Sequence, residues 1–375
     1  MSINISLEDM MKNLPDDYRD MCWETNAMCR KAGIQDEKLL LTLCLYYTYE
    51  HSLMDTKNYA KTFLSVNISD VGFMKRFARC NDWFKRINEC MMEKNSSFYE
   101  IPEKLKDMKI LAVDASDIVN KSAVKQIWRL HYAVDLFSMS SAKYKITAES
   151  EGESLRNFNL QKNELVLADR IYATISGIEH CLNSEADFVL RLRNKAFNLY
   201  NKDGSKISLQ AILKTVGTTG SDFTVYYKNS KKHLKPVRLC AIQKTEEEKL
   251  FEHEKMRKTE SKKQIKISEE TKFTRNYFFV ITSLDSSFSC EDIFKLYRLR
   301  WQVEMVFKRF KSILNFGSMP TKTETSCEAW LNCKMLIAIL IEKFLFSVDF
   351  SPYQSKKKYL ERNEVCLPVD CHLLF

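Results

Sequence analysis

The apolar positions of the first hundred residues recur at the three- to four-residue spacing of helices. The segment LLLTLCLYYTYEHS, which begins at Leu39, is dense enough in apolar side chains for a buried helix. DVGFMKRFARCNDWF spaces its aromatic residues at helical intervals, and Ser69 just before it is suited to cap that helix. A short helix over residues 57–63 and a turn over residues 65–69 would complete a helix-turn-helix, although a plain helical bundle fits equally well.

The pattern changes after Met108, where short apolar runs that end in polar residues replace the helical spacing. KILAVDAS, IWRLHYAVDLFS and AKYKITAES predict three consecutive strands, which suggests an antiparallel meander. A short helical stretch around residues 153–158 follows, then the strand ELVLADR, the helix TISGIEHCLNSEA and the strand DFVLRLR. The order β-β-β-α-β-α-β is typical of an α/β fold with a mixed sheet.

This alternation is interrupted between about residues 195 and 275. NKDGSKISL predicts a hairpin around Asp203 and Gly204, and FTVYYKNSKKHLKPVRLCAIQK predicts a pair of strands. The charged run EEEKLFEHEKMRKTESKKQIK predicts either a solvated helix or a loop. We therefore interpret residues 195–275 as a β-rich insertion in the α/β core.

Two helical patterns follow the core strand NYFFVITS. SCEDIFKLYRLRWQVEMVFKRFKSIL predicts one long helix with Ser289 as its N-cap, and a second, apolar helix is predicted over about residues 328–346. The chain thus divides into a helical region, an α/β core that contains the insertion, and a tail, over residues 1–100, 101–350 and 351–375.

Composition places the chain among ordinary globular proteins, with 45% hydrophobic and 29% charged residues and only 8 Gly and 6 Pro in 375 residues. These values exclude collagen-like and disordered classes. The net charge is +9, and residues 191–275 alone hold 21 Lys and Arg against 10 Asp and Glu. Such a surplus permits a polyanionic partner, although a solvated Lys-rich surface would show the same excess.

The twelve cysteines form no C-x-x-C pair, which favours reduced thiols in a reducing compartment. The N-terminus lacks the basic and apolar regions of a signal peptide. The most apolar run, residues 335–341, is too short to span a bilayer. We therefore expect a cytoplasmic protein without a membrane partner.

Two aspartates follow apolar runs and are candidates for chemistry. Asp114 in AVDAS is expected at the end of the first core strand, and Asp169 in LADR at the end of a later one. Acids at the carboxyl ends of strands are exposed at the rim of an open α/β sheet, where active sites collect. The alternative is that each acid simply ends a strand or begins a turn.

Three nearby polar residues are weighed against these candidates. Asp117 is interpreted as a cap or turn acid, and Asp135 as the acid that ends the second strand. The six His residues form no cluster, so His131 is interpreted as a strand residue rather than a metal ligand.

The predicted helix from Ser289 has two different faces when its residues are placed 100° apart. One face is apolar and suited to burial, with Leu299, Val303, Val306 and Phe310. The other presents an acid, a tyrosine and three cationic side chains, at Tyr297, Arg300, Glu304, Lys308 and Lys311. An amphipathic surface helix with intrahelical ion pairs would explain the charges, but not the spacing Tyr-x2-Arg-x3-Glu-x6-Lys.

That segment, YRLRWQVEMVFKRFK, resembles the Y-R-E-K signature of bacterial insertion-sequence transposases of the DDE type. VDAS and LADRIY resemble the two aspartate motifs of that family, in the family's order, with separations of 55 and 135 residues between the three acids. The resemblance covers roughly residues 65–345. It departs from the family at Ile171, where Gly commonly follows the D-R pair, and this could alter the turn beside Asp169.

The resemblance implies an RNase H-like core in which Asp114, Asp169 and Glu304 hold two Mg²⁺ ions, with Mn²⁺ able to substitute. Carboxylates suit this hard cation, and two such ions can activate an attacking oxygen and stabilise the leaving one. The family also implies that double-stranded DNA is the partner and that the helical region of residues 1–100 binds it. DNA-binding roles are expected on the helix for Tyr297, Arg300, Lys308, Lys311 and Trp301, although packing is the alternative for Trp301.

The resemblance implies cut-and-paste transposition by a homodimer on paired element ends, with a DNA hairpin as an intermediate. The sequence contains no G-x-x-x-x-G-K-[ST] run, so it does not indicate an energy cofactor. Two alternatives stay open: an RNase H-fold nuclease that cuts without rejoining, and an inactive transposase-derived DNA-binding protein. The tail from Ser351 supports the second, because it does not resemble the family's final helices and suggests a truncated or frame-shifted copy.

Overall fold

The computed structural model describes the chain over residues 7–31, 33–49, 51–92, 102–120, 127–316, 318–321 and 323–347. The predicted tail of residues 351–375 lies outside these ranges. Within them, none of the helices combines the length and the apolar character needed to cross a membrane.

Six helices form the N-terminal region as far as its residues are described, and three of them begin at a polar capping residue. Asp36, Ser52 and Ser69 accept hydrogen bonds from backbone amides at the starts of α3, α4 and α5. The helix predicted from DVGFMKRFARCNDWF is in fact two helices, because Cys80 ends α5 before α6 begins. The bounds are α1 Leu7–Met11, α2 Tyr18–Glu24, α3 Glu37–Thr48, α4 Leu53–Phe63, α5 Asp70–Arg79 and α6 Asn81–Met92.

These helices do not form a separate core. Helices α1, α3, α5 and α6 contact the last helix, α13, which spans Glu324–Ser347. Their buried residues, Phe77 and Trp83 among them, join one apolar cluster with a face of the sheet. The bundle interpretation therefore describes the packing of this region, and residues 64–69, which join α4 and α5, form an irregular connection in place of the predicted turn.

The core sheet begins with the predicted antiparallel meander, β1 Lys109–Asn120, β2 Ile127–Asp135 and β3 Ser140–Ala148. A 3-10 turn, Leu155–Asn157, occupies the predicted short helical stretch. Strand β4, Glu164–Ala168, then pairs parallel with β1, and after helix α7, Ile175–Asn183, strand β5, Asp187–Arg191, pairs parallel with β4. The predicted mixed sheet is confirmed.

The insertion contains the predicted hairpin and strand pair, but it extends the core sheet rather than forming a separate one. Strand β9 pairs with β10, and β10 pairs with β5, in the order β3-β2-β1-β4-β5-β10-β9-β8-β6-β7. The charged run is a helix, α9, with a capping box of Thr245 and Glu248. The bounds are β6 Leu199–Tyr200, β7 Lys206–Ile207, α8 Leu209–Leu213, β8 Ser221–Lys228, β9 Leu234–Gln243, α9 Glu246–Lys263, α10 Glu269–Thr274 and β10 Tyr277–Thr282.

The prediction of one continuous helix from Ser289 is wrong in one respect. A 3-10 turn at Leu299–Trp301 divides the segment into two helices, α11 Cys290–Arg298 and α12 Gln302–Ile313. Ser289 caps α11 as predicted. A 3-10 turn advances about 120° per residue instead of 100°, so three such residues shift the later side chains by about 60° from their predicted positions. Strand β11, Ser318–Met319, then pairs with the end of β1.

Both faces of the sheet are covered, and successive residues of β1 show which layer lies on each face. Ile110 and Ala112 join the cluster that contains α11, α12 and α13, whereas Leu111 and Val113 join the cluster that contains α7. Alternation along a strand therefore directs Asp114 towards the α11–α12 face.

Candidate active site

Asp114 and Asp169 lie next to each other at the rim of the sheet. Strands β1 and β4 are parallel, with Ala112 opposite Leu167, and continuing this register by two residues places Asp114 beside Asp169. Asp169 directly follows the last residue of β4, and both carboxylates are partly exposed.

The expectation that Asp114 ends its strand is wrong, because β1 continues to Asn120. Pairing with β2 extends along β1 to Val119, and β11 pairs with its last residues. The rim at Asp114 therefore arises where β4 stops, not where β1 stops.

Helix α12 brings Glu304 over this rim because its apolar face is fixed against β2. Val303 and Phe310 are buried, and the rings of Phe307 and Phe310 lie 5.9 and 5.3 Å from that of Tyr132. The helix therefore has one rotational setting, with Glu304 in its first turn on the side of β1.

Arg300, in the 3-10 turn, connects the sheet with α12. Its Nη1 lies 3.8 Å from Oδ2 of Asp114, and its Nη2 donates to Oε1 of Glu304. The Arg300 side chain is 14% exposed and the Glu304 side chain is 55% exposed. One partly buried guanidinium thus joins two of the three candidate carboxylates.

The electrostatics show that the charges of Glu304 and Asp169 both act on Asp114. Burial raises the pKa of Asp114, and the charges of Glu304 and Asp169 raise it further. The Ala115 amide, 2.9 Å from Oδ1 of Asp114, and the Arg300 guanidinium act in the opposite direction. Asp114 therefore lies within a concentrated negative field that favours a cation.

The donor set fits a hard divalent cation in its chemistry, since every candidate ligand is a carboxylate. Within the described ranges, however, no three acidic, His or Cys side chains are close enough to hold a metal ion together. Arg300 occupies the position between Asp114 and Glu304.

The remaining residues predicted for DNA binding differ in exposure. Lys308 and Lys311 are exposed on α12, and Trp301 is partly buried. Tyr297 is only 7% exposed and its ring packs 5.4 Å from that of Phe278, so the exposed part of the stripe consists of Glu304, Lys308 and Lys311. Burial raises the pKa of Tyr297 to about 12, against the effect of nearby Arg300.

The interpretation of Asp117 as a cap or turn acid is wrong. It lies within β1, and its Oδ1 accepts a 2.7 Å hydrogen bond from Nε of Arg129 on β2. Asp135 ends β2 as predicted. His131 is a buried strand residue, as predicted, and burial lowers its pKa to about 4, which keeps it neutral.

Ile171 causes no backbone strain. The amide of Tyr172 donates to the carbonyl of Asp169 at 3.0 Å and closes the turn, and none of residues 169–172 has a positive φ. This turn therefore does not require Gly.

Sequence reasoning missed two residues near the site, Glu153 and Tyr172. Glu153 precedes the 3-10 turn, and burial together with the charge of Asp114 raises its pKa. Tyr172 is fully buried, and burial and the charge of Asp114 raise its pKa. An acid just before a short helical turn looks like an ordinary capping residue, so the sequence carried no distinctive signal for Glu153.

An antiparallel meander followed by parallel strands, with carboxylates gathered at the rim, defines an RNase H-like nucleic-acid enzyme. A family model described as "Transposase DDE domain" matches residues 105–341, more than half of the chain. The chain belongs to this family of transposases, whose activity is that of a polynucleotidyl transferase and endonuclease on DNA and which generally uses a divalent metal ion.

Individual relatives agree with this assignment. The chain is 25% identical over 350 residues to InsL of insertion sequence element IS186A from Escherichia coli (strain K12), and 24% identical over 351 residues to the transposase of IS421 from Escherichia coli. Each alignment covers 90% of this chain and 93% of the relative. A shorter match, 28% over 137 residues, covers 36% of this chain and 29% of the transposase of IS231C from Bacillus thuringiensis subsp. berliner. The predicted transposase function is confirmed, and nothing here favours the two alternatives.

Proposed function

We propose that Asp114, Asp169 and Glu304 are the catalytic carboxylates of this transposase and that they hold two Mg²⁺ ions, which Mn²⁺ can replace. The observation that carries the proposal is the Arg300 guanidinium, which pairs with Asp114 and Glu304 at the rim beside Asp169. When bound, the ions supply the positive charge that activates an attacking oxygen and stabilises a leaving one.

Arg300 has a second role in this proposal. Its guanidinium can pair with a DNA phosphate in bidentate fashion. The Glu304 carboxylate would then be released from Arg300 and become available to bind the metal. Tyr297, whose ring centroid lies 5.9 Å from the Arg300 guanidinium, contributes to DNA binding by positioning that guanidinium. Lys308 and Lys311 extend the cationic surface along α12 towards the DNA backbone, and Trp301 packs at the edge of this surface or stacks on an unpaired base.

The reaction begins with hydrolysis. Water attacks a phosphodiester at an element end, the 3′-oxygen leaves, and a free 3′-OH results. This hydroxyl then attacks a phosphodiester on the opposite strand. The new bond joins the two strands of the element end in a hairpin, and the bond that breaks releases the element. After the hairpin opens, the 3′-OH attacks target DNA, so that each bond broken is exchanged or hydrolysed without an energy cofactor.

The assembly that we propose is a homodimer on paired element ends in the cytoplasm. The Y-R-E-K signature, at Tyr297, Arg300, Glu304 and Lys311, would hold each end near the metals. The helices of residues 1–100 and the basic surface of the insertion, residues 195–275, would bind flanking duplex. Because these contacts are to phosphates, DNA affinity should fall steeply with salt.

Incubating the purified protein with linear DNA that carries the element's own ends tests this proposal. The protein is compared in Mg²⁺ and in EDTA, beside Asp169→Ala. Metal-dependent nicking at the ends that the variant lacks would support the proposal. Retarded DNA without nicking would show a binding protein, and nicking without end preference would show a general nuclease.

A further inference from the structure

The loop that carries Glu153 is held in a defined position against β2 and β3. The Nη1 atom of Arg129 donates to the carbonyls of Glu149 and Glu151, at 3.4 and 3.2 Å. From the other side, Nδ2 of Asn157 donates to the carbonyl of Gly152 at 3.0 Å. Backbone bonds on both sides of the loop thus fix the point from which Glu153 extends.

The Glu153 side chain takes no part in this anchoring. Its side chain is partly buried and takes part in no ion pair or hydrogen bond among the described residues. Arg129, whose positive charge acts on Glu153, makes its 2.7 Å ion pair with Asp117 instead. Its carboxylate is close enough to Asp114 and Asp169 for their charges to act on it. A partly buried acid without its own counter-ion, beside other acids, requires a cation to offset the repulsion.

Tyr172 provides an independent indication of a ligand at this position. Its side chain is fully buried, and its hydroxyl has no hydrogen-bond partner in the described structure. The charged groups around that hydroxyl are Asp114, Glu153, Arg129 and Asp169. A buried hydroxyl without a partner is destabilising, and a ligand between Asp114 and Glu153, such as a hydrated cation, would satisfy it.

We propose that Glu153 is a fourth carboxylate of the active site, which binds the divalent cation together with Asp114 from the face of the sheet opposite Glu304, beside the Tyr172 hydroxyl. The proposal rests on the proposed metal role of Asp114. Glu304 and Arg300 approach the rim from the α11–α12 face, whereas Tyr172 belongs to the α7 cluster on the other face. The cation would then be held from both faces of the sheet.

Binding of Mn²⁺ to the full-length protein without DNA tests this site independently of catalysis. Free Mn²⁺ is measured by electron paramagnetic resonance during titration into the millimolar range. We expect Glu153→Gln to weaken Mn²⁺ binding roughly ten-fold or more, as loss of a supporting ligand does at other metal sites. Glu149→Gln, which removes an exposed acid from the same loop, should bind like the wild type.

The outcomes separate this inference from the proposed function. Loss of binding in Asp114→Asn with wild-type binding in Glu153→Gln would overturn the role of Glu153 and leave the three-carboxylate site standing. Unchanged binding in both variants, or no binding by the wild type, would contradict the metal role of Asp114 and with it this inference. Circular dichroism of each variant establishes that the fold is retained.

Discussion

Helices α9 and α12 are both rich in charged residues, yet their charges have different consequences. On α9 the ions pair within the helix, as Lys258 does with Glu254 at 2.7 Å, and such exposed pairs contribute little. On α12 a buried apolar face fixes the helix against β2, so that Glu304 pairs with the neighbouring Arg300, and Arg300 in turn reaches Asp114 on β1. The comparison teaches that charged side chains on a helix indicate a functional site only where packing of the helix fixes the direction in which they point.

The largest expected effect is the loss of DNA cleavage when Glu304 on α12 is replaced. Glu304→Ala should abolish DNA cleavage and leave binding of the element ends within a few-fold, because the carboxylate serves the metal rather than the DNA. Glu254→Ala on α9 is the matched control and should change neither. Cleavage and gel-shift assays on the same DNA measure both quantities, and parallel loss of cleavage and binding in Glu304→Ala would count against the metal role.

Replacing a phenylalanine should also affect stability very differently on the two helices. Phe310 is 6% exposed and packs 5.1 Å from Phe316, so Phe310→Ala should lower the free energy of unfolding by about 3–5 kcal/mol. Phe251 on α9 is 58% exposed beneath the Lys255 ammonium, and Phe251→Ala should cost no more than about 1 kcal/mol. Urea denaturation distinguishes them, and similar losses would mean that α9 is also packed against a partner.

Arg300 tests whether the geometry of the cation matters or only its charge. Arg300→Lys should reduce cleavage roughly 10²–10³-fold, since one ammonium cannot replace two directed donors to a phosphate. Lys258→Arg, the reverse exchange on α9, should have no effect. Cleavage under single-turnover conditions is the measurement, and full activity in Arg300→Lys would reduce Arg300 to a point charge.

The sequence predicted most of the sheet because apolar runs and turn residues are local signals. KILAVDAS, ELVLADR and DFVLRLR each became a strand with the expected neighbours. It failed where tertiary pairing decides the outcome: β1 continues past Asp114 because β2 and β11 pair with it, and the 3-10 turn at Leu299–Trp301 lies in a sequence that suits a continuous helix.

The candidate site shows the same division. Asp114, Asp169 and Glu304 were found from strand ends and helical spacing together with a family resemblance. Glu153 was not, because its proximity to Asp114 depends on hydrogen bonds from Arg129 and Asn157 that no sequence spacing encodes.

The smallest expected effect contrasts a partly buried acid on α13 with the exposed Glu254. Burial raises the pKa of Glu342 to about 7, while hydrogen bonds from the amide and Oγ of Ser141, at 2.9 and 3.0 Å, oppose that rise. The folded protein therefore binds a proton more tightly than the unfolded chain. The contribution of this bound proton to the free energy of unfolding is fully present below about pH 4.5, and it is lost as the pH rises through about 7.

Glu342→Gln should remove that dependence and make the protein more stable than the wild type at pH 8, by up to about 3 kcal/mol and closer to 1 after allowance for solvent. Glu254→Gln should leave the profile unchanged at neutral pH, since its pKa is lowered by the hydrogen bond from Lys258. Melting temperatures from pH 5 to 8 provide the comparison. If wild type and Glu342→Gln keep a constant difference across that range, then Glu342 does not titrate there and its carboxylate is charged in the folded protein.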